Sequence, residues 1–66
     1  SRIEPAVSRE WIAQASVDEL EVALVAYETQ AEIAREPWKR ERAAVTAGVL
    51  EAELWARTRQ LAVVEG

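Results

Sequence analysis

Sixty-six residues with a net charge of −4, half of them apolar and none of them cysteine or histidine, define one small acidic domain. Those absences exclude a disulfide framework, thiolate catalysis, the usual zinc ligand sets and, with methionine also missing, axial ligation of haem. A chain this short buries a modest share of its surface, which leaves close packing and assembly as its routes to stability.

The first helix start in chain order is Glu4-Pro5. Proline needs no amide proton at the first helical position, and a carboxylate beside it meets the positive end of the helix dipole. The expected helix covers residues 5–15 and offers Val7, Trp11, Ile12 and Ala15. Next comes Ser16-Val17-Asp18-Glu19, a capping box with Ala15 and Leu20 at the flanking staple positions. It predicts a second helix over 17–35. At about 100° per residue, Val17, Leu20, Leu24, Tyr27, Ala31 and Ala34 fall on one side of that helix. Val22, Ala26, Thr29 and Ile33 fall on the other.

Glu36-Pro37 repeats the Glu-Pro pattern and predicts a third helix over 37–63 after a tight turn. The alternative is a kink in one continuous helix of about 48 residues, about 70 Å long. In its favour, the four-three spacing of Leu24, Tyr27, Ala31 and Ala34 carries on to Trp38 and Val45. The third helix is also apolar on two sides. Ala43, Ala47, Leu50, Leu54 and Leu61 form one stripe, and Val45, Val49, Ala52, Ala56 and Val63 form the other. Trp55 lies between them, on a side shared with Ala44, Gly48 and Ala62. Gly48 costs roughly 1 kcal/mol against alanine in a helix interior, so a close neighbour is expected there.

The predicted architecture is all-α: a short helix followed by an antiparallel hairpin of two longer helices, in a single domain over residues 1–66. With thirteen alanines and no phenylalanine, the core must draw on short side chains plus three tryptophans and one tyrosine. One stripe from each long helix joins the pair. The opposite stripes exceed what the short helix can cover, so the bundle is completed by a second copy, as a dimer or tetramer with coiled-coil-like borders. The expected partner-binding residues are Val22, Ala26, Ile33, Val45, Gly48, Val49, Ala52, Trp55 and Ala56. The expected role is non-enzymatic: oligomerisation or protein interaction, with no cofactor and no metal. Seven arginines to one lysine and no asparagine suit either a GC-rich genome or a designed helical bundle.

Other constellations have plainer explanations. Arg35, Lys39, Arg40 and Arg42 surround Trp38, and an alternative role as a small nucleic-acid-associated regulator would use these cations on phosphates and the indole on a base. Four cations in an acidic chain make a weak footprint, and a solvated helix start with a Glu36 to Arg40 pair explains them as well. Residues 11–24 have a helix-turn-helix outline, but Asp18, Glu19 and Glu21 at the head of its second helix carry the wrong sign for DNA. Glu21, Glu28, Glu32, Glu51 and Glu53 read as solvated faces, with Glu53 and Arg57 spaced for a surface ion pair. The hydroxyls have no histidine to activate them. Without a bilayer-length apolar run or a secretory pattern, no membrane association is expected, and a natural chain is expected in the cytoplasm.

Overall fold

Ser8, and not Pro5, opens the first helix. In the computed structural model, which describes the backbone of residues 3–65 and the side chains of residues 3–60, α1 spans Arg9–Gln14 and its Ser8 hydroxyl accepts from the Trp11 amide at 3.1 Å. The expected start at Glu4-Pro5 is corrected by two contacts. A serine hydroxyl satisfies an orphan helix amide that Glu4 leaves unmet. The Ala6 amide is instead held by the Thr46 hydroxyl, 2.8 Å away on the third helix. Residues 3–8 therefore lie as an irregular strap against α3 and are not a first turn.

The second helix, α2, spans Val17–Ile33 and carries the expected capping box. The Glu19 amide donates to the Ser16 hydroxyl at 3.1 Å, and the Ser16 amide donates to the Glu19 carboxylate at 2.8 Å. Ala34 ends it in an extended conformation, with its own amide still bonded to the Gln30 carbonyl. Pro37 then begins α3, Pro37–Glu65, in whose first turn the Lys39 and Arg40 amides both donate to the Glu36 carbonyl. Proline disfavours a helical Glu36, so the chain turns here and no continuous rod forms.

The long helices pack antiparallel: Ala31 lies beside Ala44 and Ala47 near the turn, and Leu24 beside Leu54 farther from it. Ala43, Ala47 and Leu50 are buried on α3, and Leu20 on α2, with Leu24, Tyr27, Ala31 and Leu54 half-buried around them. These are the two stripes expected to join. Ile12 and Ala15 of α1 complete the core cluster with Leu20 and Leu50, and Val7 and Val49 pack against it. Leu61, Ala62 and Val63 lie outside the described side chains.

Two polar side chains tie the N-terminal region to α3. Thr46 is fully buried, and its hydroxyl accepts from Ala6 while donating to the Arg42 carbonyl at 2.7 Å. Arg57 reaches the end of α1, donating Nη2 to the Ile12 carbonyl at 2.8 Å, Nη1 to the Ala15 carbonyl and Nε to Glu53 at 3.0 Å. The expected surface pair between Glu53 and Arg57 is present, yet its arginine is mostly buried and serves a second purpose. A guanidinium fork is suited to this, since it satisfies helix-end carbonyls that have no backbone partner.

The tryptophans correct a further expectation. None of the three is in the core: Trp11, Trp38 and Trp55 are all exposed, and Tyr27 alone among the aromatics is half-buried. The buried positions between the long helices belong to Leu20, Ala43, Ala47 and Leu50, and the tryptophans occupy none of them. The result is a thin slab, 44 × 22 × 16 Å across its Cα atoms.

Candidate interaction surface

Because α2 and α3 meet through one stripe each, many of the remaining apolar residues of both helices stay exposed. On α2, Val22 is 71% exposed and Ile33 65%, with Ala26 exposed between them. Val25, at 62% exposure, shares this outward side and was not among the residues expected there. Its signal was available, since it lies three residues after Val22 and one turn before Thr29. The Thr29 hydroxyl donates to the Val25 carbonyl at 2.9 Å, which spares the stripe an unmet polar group.

On α3 the outward residues are Gly48, Ala52, Trp55 and Ala56, all exposed, with Val45 half-buried. Trp55 is 58% exposed and the Arg59 guanidinium stands 4.9 Å from its ring centre. Gly48, Ala52, Trp55, Ala56 and Arg59 border one shallow hollow with Glu51. A Cβ added to Gly48 would meet nothing within 4 Å. The close neighbour expected at this glycine is therefore not found among the described residues.

Val49 stands apart from this group. It is half-buried against the core cluster and shares a recess with Ile3, Pro5, Val7 and Ile12. A carboxylate placed there would disturb the chain's own packing, so Val49→Glu does not isolate an association effect. Two of the exposed α3 residues flank the groove with α2: Trp55 borders a hollow with Leu24, and Gly48 borders another with Glu28, Ala31 and Glu32.

The basic cluster gathers at the α2–α3 turn, where much of its charge is engaged locally. The expected Glu36 to Arg40 pair is replaced: Glu36 pairs with Lys39 at 3.1 Å, and Arg40 Nε donates to the Ala34 carbonyl at 2.6 Å. Trp38 Nε1 donates to Glu36 at 2.9 Å, and Lys39 Nζ lies 5.5 Å from the indole centre. Hydrogen bonds from Lys39 and then Trp38, with the lysine's charge added, hold the Glu36 carboxyl below its usual pKa. Arg35 and Arg42 are exposed beside them.

Among the described residues no group of three or more acidic, histidine or cysteine side chains could hold a metal ion. No helix there is long and apolar enough to cross a membrane. No protein-family model, curated protein or solved structure matches the chain.

Proposed function

We propose that this chain is a non-enzymatic helical oligomerisation or protein-interaction module, an all-α hairpin completed as a bundle by self-association into a dimer or tetramer. The observation that carries this reading is the exposure of Val22, Val25 and Ile33 on α2 and of Trp55 on α3. Contiguous apolar surface of that kind marks association sites, and tryptophan is enriched where such sites hold most of their binding energy. Burial of these stripes drives assembly, and the bordering charges select register.

Light-scattering mass measured across a range of concentrations tests the proposal. A rise toward two or four chain masses that persists or strengthens with salt supports it, because hydrophobic burial survives salt and phosphate binding does not. A well-folded monomer at the highest concentration overturns it. The nucleic-acid alternative, through Arg35, Trp38, Lys39, Arg40 and Arg42, has weaker support, since Lys39 and Arg40 already have partners within the chain.

A further inference from the structure

The outward face of α3 has an internal symmetry. Glu41, Val45, Gly48, Ala52, Trp55 and Arg59 recur at alternating spacings of four and three, which places them in a line on one side of a helix. All are exposed except the half-buried Val45. Reversing this line about the midpoint between Gly48 and Ala52 sets Gly48 opposite Ala52, Val45 opposite Trp55 and Glu41 opposite Arg59. The smallest pair falls at the centre, each indole meets an aliphatic neighbour, and opposite charges close both ends.

We infer that a second copy of this chain docks antiparallel on α3, with the two-fold axis between Gly48 and Ala52. The inference rests on the self-association proposed above and specifies its geometry. A two-fold interface must be self-complementary, and this line is so in both size and charge. Glycine opposite alanine leaves the centre of the seam free of bulk, so the backbones fit within the usual range of about 8–10 Å with a Trp55–Val45 pair packed to either side. The second copy then supplies the neighbour that Gly48 lacks among the described residues.

The area agrees. A folded monomer of 7.4 kDa is expected to expose about 4,200 Å², and this chain exposes 5287 Å². The excess is about 1,100 Å², comparable to the roughly 800 Å² that each partner gives up in a standard stable interface. The Cα radius of gyration of 13.0 Å likewise exceeds the value of about 11 Å for a compact domain of this length.

Charge exchange at the ends of the line tests the register. In a symmetric dimer, Glu41→Arg or Arg59→Glu sets like charges opposite each other twice, and each variant alone is expected to raise the dimer dissociation constant about tenfold. Mixing the two variants restores both attractive pairs, so the heterodimer should form with about the parent affinity. Because the chain has no cysteine, Glu41→Cys mixed with Arg59→Cys gives a second readout: a disulfide is expected in the mixture and not with either variant alone. Gly48→Leu, added where the single chain leaves open space, should keep the helical circular dichroism and abolish the dimer.

Recovery in the mixture, together with the 41-to-59 cross-link, supports the antiparallel α3 seam. A parent dimer that persists in Gly48→Leu and shows no recovery on mixing overturns the seam while leaving self-association standing. A parent chain that stays monomeric overturns both.

Discussion

Replacing Arg57 with alanine tests how the N-terminal region is held, and its magnitude can be worked from the contacts. Six residues are too few for α1 to persist as an isolated helix, so its stability comes from docking. Arg57 supplies two charge-assisted hydrogen bonds to that docking, on the Ile12 and Ala15 carbonyls, from a side chain that is 23% exposed. Hydrogen bonds to a charged group contribute about 1.5–3 kcal/mol each when well shielded. Discounting for partial exposure, Arg57→Ala should cost about 2–3 kcal/mol. A domain of this length has about 3–10 kcal/mol in total, so the loss is a large fraction.

The companion variant separates this role from the ion pair. Glu53→Ala removes only the pair one turn away on the same helix, worth about 0.3–0.5 kcal/mol. Arg57→Lys keeps the charge without the planar fork and should recover about half the loss. Urea denaturation gives the totals, and amide exchange at Ile12 and Ala15, whose amides donate to Ser8 and Trp11, locates the effect. Equal costs for Arg57→Ala and Glu53→Ala would refute the clamp. So would unchanged protection of those two amides.

Thr46→Val should cost about 1–3 kcal/mol by leaving the Ala6 amide without its acceptor, whereas Thr46→Ser keeps both hydrogen bonds and should lose far less; denaturant midpoints measure both. Measured at low protein concentration, Gly48→Ala should raise stability by about 0.5–1 kcal/mol, since the added methyl meets nothing within 4 Å. An unchanged midpoint would count against an open site there. Lys39→Ala should raise the Glu36 carboxyl midpoint toward the ordinary glutamate value, as read by carboxyl NMR titration, because Lys39 is the largest cause of its lowering. With the folded pKa depressed, the contact stabilises the folded chain above the unfolded pKa. That contribution is lost as pH falls through the folded value.

What the sequence revealed was whatever is local and periodic. Ser16 and Glu19 announce a helix start because both halves of the capping box lie within four residues, and the Leu20–Leu24–Tyr27–Ala31 stripe declares the buried side of α2 through its spacing alone. Glu36-Pro37 and Glu4-Pro5 look alike, yet only the first opens a helix. The difference is Thr46, forty residues away, which takes the Ala6 amide, and Ser8, which offers a better cap. Arg57 was legible as the partner of Glu53, one turn away, and illegible as the partner of Ile12 and Ala15, because a bond across more than forty residues leaves no mark on local spacing. The outward line on α3 was only partly seen: Val45, Gly48, Ala52 and Trp55 stood out as apolar or small. Glu41 and Arg59, at its two ends, carry no apolar signal that spacing could pick out.

The buried positions between the long helices are taken by Leu20, Ala43, Ala47 and Leu50, and the tryptophans, which sit at none of them, are all exposed. Trp55, 58% exposed, still has about 90–145 Å² to bury, and at about 25 cal/mol per Å² that is worth about 2–4 kcal/mol before the costs of association are met. For a chain whose net folding stability is of order 3–10 kcal/mol, covering one Trp55 per chain across a symmetric seam would add a sizeable fraction of that net value. Association is then continuous with folding, and the melting temperature should climb with protein concentration by mass action. A melting temperature independent of concentration across a hundredfold range would mean that the outward tryptophans do not drive assembly.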